Sequence, residues 1–180
     1  MSSETPAGIT LIRDFVNTTD METNTDDLST RSELTHFLVC AGLLSRRTPS
    51  TAAELALARS LRAAIRRALE LNHDGSSDTI PALQPLLSQL PLRLRWEGDG
   101  TTLVPVETGV MGGLAGLAIA VNDSVAGKTW RRLKICFADD CAWAYYDASK
   151  NQSRNWCEYG CGNKFKTRAY RARRKAAATT

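Results

Sequence analysis

Four cysteines fall within 26 residues: Cys136, Cys141, Cys157 and Cys161, with Cys40 standing apart. They form two short pairs, C-x4-C and C-x3-C, joined by an arm of fifteen residues. A segment this small cannot fold on its own apolar surface, so something must tie its ends together. The opening stretch "MSSETPAG" lacks the basic start and apolar centre of an export signal, which sets a cytoplasmic expectation. In that compartment clustered cysteines read as metal ligands rather than disulfides. The spacing matches a four-cysteine zinc framework with slightly widened pairs, each pair clamping one edge of a tetrahedron. The ligand set alone also suits an iron–sulfur cluster. A catalytic zinc would keep an open position, usually with His or carboxylate ligands. His36 and His73 lie sixty or more residues away in sequence, so a closed, structural site is expected. Metal binding would then supply the folding energy, ~10–16 kcal/mol in comparable peptides.

The arm "AWAYYDASKNQSRNW" suits its task, with Trp143, Tyr145 and Tyr146 favouring extended chain and "SKNQS" a reversal. Four thiolates around one zinc leave a formal −2, and Lys134, Arg154 and Lys164 are placed to offset it. Gly162 and Asn163 tolerate the backbone needed to wrap amides around a thiolate.

After the last cysteine, residues 164–175 hold seven basic side chains and no acid. The segment is compatible with a helix. Phe165, Ala169 and Ala172 fall on one stripe, and Lys164, Arg168, Arg171 and Lys175 on another, broadened by Lys166, Arg173 and Arg174. A cationic stripe seated by a metal anchor pairs with phosphates along a nucleic-acid backbone. The charge asymmetry agrees. Residues 1–127 carry 10 basic against 15 acidic residues, and residues 128–180 carry 13 against 4.

The first 127 residues read as a mainly helical body. "GITLIRDFVNTTD" is apolar at Ile9, Leu11, Ile12, Phe15 and Val16, which does not decide strand from helix. Thr30/Glu33 and Thr51/Glu54 are capping boxes that start two helices. Leu55, Ala58, Leu61, Ile65 and Leu69 form the buried stripe of the second, with Gly75 past its end. On its flank, Arg59, Arg62 and Arg66 read as a solvated face with Arg66 near Glu70, or as a second anion surface. A shorter helix is expected in "DTIPALQPLLSQL", delayed or kinked at Pro85. Leu92, Leu94 and Trp96 alternate with charged residues before "GDG", which is a hairpin signal. A further helix carries Leu114, Leu117, Val121 and Val125 on one face, and Gly112, Gly113 and Gly116 would let another helix approach. Its apolar run, Val110 to Val121, falls short of the ~18 residues of a membrane span, so no membrane partner is expected. Cys40, beside Phe37 and Leu38, reads as an inert core thiol.

Together these residues resemble the CGNR zinc-finger family of bacterial proteins. Its members join an N-terminal ABATE domain, associated with stress-induced transcription regulation, to a C-terminal four-cysteine finger. The early Asp-Phe-x-Asn-Thr element stands here as "DFVNT", Asp14 to Thr18, and "DASKNQSRNWC" resembles the run before the second cysteine pair. The naming motif appears as "CGNK", followed by "KTRAYRARR". Lys164 stands where the family usually has Arg, keeping the charge but not the planar fork. The resemblance implies a zinc-dependent DNA-binding protein, a transcription regulator.

The expectation is therefore an α+β chain: a mainly helical N-terminal domain with a β-hairpin over residues 1–127, then a small four-cysteine zinc finger ending in a basic helix over 128–180. The partner would be double-stranded DNA, met by Arg154, Lys164, Lys166, Arg168, Arg171, Arg173, Arg174 and Lys175. A finger that docks RNA or an acidic protein is the alternative. Asn17 and Thr18 are candidate ligands for a small-molecule effector, or caps of a turn, and the N-terminal domain could carry sensing or homodimerisation. No nucleophile–base pair or phosphate-cradling loop suggests an enzyme.

Overall fold

Both capping boxes form. In the computed structural model, which describes residues 5–73, 80–158 and 160–177, Thr30 Oγ1 accepts from Glu33 N at 3.2 Å while Thr30 N donates to Glu33 Oε2 at 2.6 Å. The same exchange joins Thr51 and Glu54. They start helices α2 (Arg31–Cys40) and α3 (Ala52–Leu71). The ambiguous opening segment is helix α1 (Ala7–Val16), with Ile9, Ile12, Phe15 and Val16 buried at helical spacing. A two-residue ribbon follows, β1 (Thr19–Asp20) paired antiparallel with β2 (Thr25–Asp26).

The buried face of α3 is broader than the expected stripe. It includes Leu57, Ala58, Leu61, Ala64, Ile65 and Leu69, while Leu55 sits at its margin. Gly75 lies outside the described residues. Helix α4 is short, Leu83–Leu87, and its late start leaves Pro85 in the first turn where a missing N–H is harmless. The hairpin pairs β3 (Leu92–Glu97) with β4 (Gly100–Pro105) in the register Leu94↔Leu103. Gly98 opens its two-residue loop at φ +60°, the conformation a primed turn needs from glycine. The hairpin's apolar row is not buried: Leu94 is 70% and Trp96 72% exposed.

Helix α5 (Gly109–Ala126) is the central post. By length and composition it is apolar enough to cross a bilayer, yet Val110, Leu114, Leu117 and Ala118 are spent on the core. The glycines do admit a neighbour: a Cβ at Gly116 would stand 2.7 Å from Leu43, just beyond α2. Val121 is half-buried and Val125 exposed, so the last turn leaves the core. Cys40 is also exposed, on the outer side of α2, with Sγ 3.6 Å from His36 Nε2. The expected core thiol is therefore a surface thiol, because α2 turns Leu34 and Leu38 inward instead.

Beyond Gly127 a 3-10 turn (Trp130–Arg132) leads to β5 (Leu133–Ile135), which pairs antiparallel with β6 (Ala144–Tyr146). This ribbon has two inner faces. Leu133, Ile135 and Ala144 belong to the same buried cluster as Phe15, Leu61 and Leu114. On the opposite face Lys134 and Tyr145 point into the cysteine module, where Tyr145 joins Cys136, Cys141, Cys157 and Cys161 in a second cluster. The body's core thus crosses the 127/128 division. The final helix, α6 (Cys161–Ala177), is basic throughout.

Candidate metal centre and nucleic-acid interface

The strand pair delivers the first cysteine pair. Cys136 follows β5 directly, and its amide donates to Trp143 O at 2.8 Å. The chain then reverses in a tight knuckle, with Cys141 N donating to Ala138 O at 2.9 Å and Ala142 at φ +49°. The arm returns through Phe137 N to Asn155 O, 3.0 Å, which brings Cys157 beside Cys136. Cys161 is at once the fourth cysteine and the first residue of α6.

All four Sγ atoms lie within 4.8 Å of one another and all four residues are buried. Cys141 and Cys157 are 3.7 Å apart, and Cys157 and Cys161 3.6 Å. A disulfide would need ~2.05 Å. Zinc held by four thiolates at ~2.3 Å sets tetrahedral edges of about 3.8 Å. The donor set and spacing therefore fit a closed four-thiolate ion site. Burial opposes the Cys136 thiolate, yet the amides of Cys157 and Ala138 together with the thiols of Cys157 and Cys141 outweigh it and pull that thiol below its ordinary value. Burial pushes Cys141 well above it, aided by the charge of Cys136. Ionising all four together requires a cation at their centre.

The turn residue before the last ligand is Gly160, at φ +79°, not the expected Gly162 and Asn163, which already lie in α6. Asn163 N and Lys164 N donate to Gly160 O at 2.9 and 3.0 Å, so this glycine starts the helix.

The cations assigned to offset the cluster have other partners. Lys134 and Asp147 form a fully enclosed ion pair at 2.9 Å, with side chains 2% and 0% exposed. Asp147 also accepts from Ser149 N and Arg154 N, each at 2.9 Å, so it organises the whole reversal of the arm. Burial disfavours its charge, but Ser149, Lys134 and these amides together hold its pKa below the usual carboxylate range. Sequence reasoning missed this hub, although Asp-x-Ser is an Asx-turn signature. Arg154 is committed inside the module: its Nε donates to Trp156 O at 2.8 Å, its guanidinium lies over the Tyr145 ring, and Glu158 stands 3.3 Å away. Lys164 Nζ is 2.6 Å from Asp140, which lowers that carboxyl and raises the lysine.

The basic row itself is on the surface. Lys164, Lys166, Arg168, Arg171, Arg173 and Arg174 are all exposed along α6, and Phe165 packs back on Trp156 with ring centroids 5.3 Å apart. The side chains of Ala169, Ala172 and Lys175 lie outside the description.

Asn17 and Thr18 face inward. Asn17 Nδ2 donates to Ala144 O at 2.9 Å and its Oδ1 accepts from Ala144 N at 2.7 Å. Thr18 Oγ1 donates to Phe15 O at 2.7 Å and accepts from Arg62 Nη1 at 2.9 Å. Their polar atoms serve the fold, with 9% and 6% of each residue exposed. The arginine flank of α3 is committed to the fold, with Arg62 buried, Arg66 half-buried and Arg59 exposed. Arg62 grips Asp26 with both terminal nitrogens, at 2.6 and 2.8 Å, and Arg59 donates to Leu28 O and Ser29 O, both at 2.8 Å. Arg66 donates to Val16 O at 2.7 Å and to Ala142 O in the knuckle. Each guanidinium of the flank thus has partners within the protein, and Arg59 keeps solvent contact as well.

A helical body bearing a four-cysteine metal finger, with a basic helix starting on the last ligand, is the class that fold and site define. Residues 10–128 match the ABATE family model, "Putative stress-induced transcription regulator", and residues 132–174 match the CGNR zinc finger. The first match spans more than half of the chain, which belongs to the ABATE family and carries a CGNR zinc finger at its C-terminal end. No curated protein matches the sequence.

Proposed function

We propose that this chain is a zinc-dependent, double-stranded-DNA-binding transcription regulator of the cytoplasm, without catalytic activity. The observation that carries the reading is the coupling of Cys161 to α6: the residue that closes the metal cluster also begins an exposed helix with seven basic side chains and no acid. Zinc would cross-link the two cysteine pairs and so fix the direction in which that helix leaves the body. The helix offers charge where a phosphate backbone carries the opposite sign. Lys164 meets phosphates as a point charge, and Arg168 has the planar fork that a guanine edge accepts. The reading requires neither an effector nor a second copy of the chain.

Salt titration of duplex binding tests it. Each phosphate neutralised steepens the log K against log salt slope by ~0.9, and four contacts from Lys164, Arg168, Arg171 and Lys175 would approach about −3.6. Arg171→Ala should flatten the slope by about one contact on every sequence. If Arg168→Ala and Arg171→Ala, both holding zinc, bind as the parent does at all salt concentrations, the helix does not meet DNA. A finger that docks an acidic protein then becomes the better reading.

A further inference from the structure

The first two cations of the exposed row reach back to a single carboxylate. Asp140 Oδ2 accepts from Lys164 Nζ at 2.6 Å and from Arg168 Nη2 at 3.4 Å. Lys164 and Arg168 stand four apart on α6 and so share one face. Asp140 lies in the knuckle, directly before Cys141, while Cys161 begins the helix. The cysteine cluster therefore fixes both sides of the contact. More acid stands nearby: Asp20, at the end of β1, and Glu22, in the turn that follows, line the same crevice as Cys141 and Trp143. Further along, the pattern changes. Among the described residues, Arg171, Arg173 and Arg174 are exposed and pair with no acid.

We propose that Asp140 is a built-in stand-in for a phosphate, which occupies Lys164 and Arg168 and must be exchanged for the nucleic-acid backbone on binding. One carboxylate oxygen shared by two cations reproduces the charge-assisted contact that a phosphate oxygen would make. All three side chains are substantially exposed, so the contact is weak enough to be displaced and acts as a graded brake. The unpaired arginines of the later turns then make the first contacts, and the anchored start of the helix engages last. The parent protein should accordingly show a slope shallower than four free contacts would give. This inference rests on the DNA reading for its biological meaning, but the masking concerns any polyanion.

The test uses the full chain with zinc bound, as parent, Asp140→Asn and Asp140→Glu, on duplex DNA and on immobilised heparin. Asp140→Asn should bind duplex about three- to tenfold tighter near ~0.1 M salt, with a slope steeper by up to about 0.9, the one charge that a freed carboxylate would take back up. It should also leave heparin at higher salt, and Asp140→Glu should behave as the parent. A carboxylate that merely braces α6 gives the opposite sign, because its loss would weaken binding. Unchanged or weaker binding by zinc-loaded Asp140→Asn on both polyanions overturns the proposal. Later elution from heparin with no duplex binding by either protein leaves the masking standing and removes the DNA reading. Should Asp140→Asn shed zinc, Lys164→Gln supplies the same information in reverse. Loss of a masked cation should weaken binding less than Arg171→Ala does, because Lys164 gives up its contact with Asp140 on binding, and equal weakening by both would overturn the proposal.

Discussion

Asn17 brackets Ala144 as a strand neighbour would, donating to its carbonyl and accepting from its amide across 127 positions of sequence. Ala144 lies in β6, whose other side pairs with β5, so the side-chain amide acts as a one-residue third strand. It ties the end of α1 to the metal module at a buried point.

Removal of that amide leaves two backbone groups of Ala144 without partners in the interior. Each unsatisfied group costs about 1–3 kcal/mol, so Asn17→Ala should lower stability by ~2–6 kcal/mol. Denaturant unfolding of the zinc-loaded chain measures this. A change below ~1 kcal/mol would mean that water replaces the amide and that the bracket is dispensable.

The division at residue 127 has an energetic consequence because the ribbon contributes to both cores. A chain ending at Gly127 loses Leu133 and Ile135, each worth about 1.5–3 kcal/mol when fully buried. It also loses the carbonyls of Trp130 and Leu133 that Asn72 Nδ2 binds at 2.9 and 2.8 Å. Thermal melts should place this truncation well below a chain ending at Asp147, which retains the ribbon. Equal midpoints would show that the body closes without it, on the core of its helical stripes alone.

What was legible in the sequence was local. The capping boxes at Thr30 and Thr51, the hairpin around Gly98 and the paired cysteines all declare themselves within a few residues. What was not legible depends on distant partners. Arg62 finds Asp26 and Thr18 at separations of 36 and 44, and Arg66 finds Ala142 at 76, so helical spacing alone could place them only on a flank. Cys40 turns outward because α5 chooses which side of α2 is covered. The opening segment has apolar residues at both helical and alternating positions, and only its packing against α5 settles it as α1. Gly162 and Asn163 suit a tight turn by residue type, whereas Gly160 takes the positive φ.

Lys134 and Asp147 offer a test confined to the finger's interior. Loss of one member of a buried pair strands the other charge, which costs ~3–5 kcal/mol. Lys134→Met keeps the length of the stem but leaves Asp147 without its cation. Global stability should fall by that amount, with zinc released at lower chelator concentration because the arm between the cysteine pairs loosens. Combining Lys134→Met with Asp147→Asn should recover part of the loss, since no full charge then remains buried. A double variant worse than the sum of the single ones would show that Asp147 acts mainly through Ser149 and Arg154, whose amides it also holds.

Metal removal should reach further than the finger. Without an ion, four buried thiols within 4.8 Å cannot all ionise, and the knuckle, the arm and the start of α6 lose their common tie. The ribbon's finger face, Lys134 and Tyr145, then loses its cover, and the same two strands carry Leu133, Ile135 and Ala144 into the body. Chelation, or Cys157→Ser, should therefore lower the melting temperature of the body as well as abolish α6, a loss visible in the helical circular dichroism signal. Hydrogen exchange localises the effect. Amides of β5 and β6 should lose protection first, followed by the end of α1 beside Asn17, while α2 should change least. If chelation removes zinc yet exchange in α1 and α3 is unaltered, the ribbon docks on the body independently of the metal. Stoichiometric zinc held at parental affinity by Cys157→Ser would remove Cys157 from the ligand set.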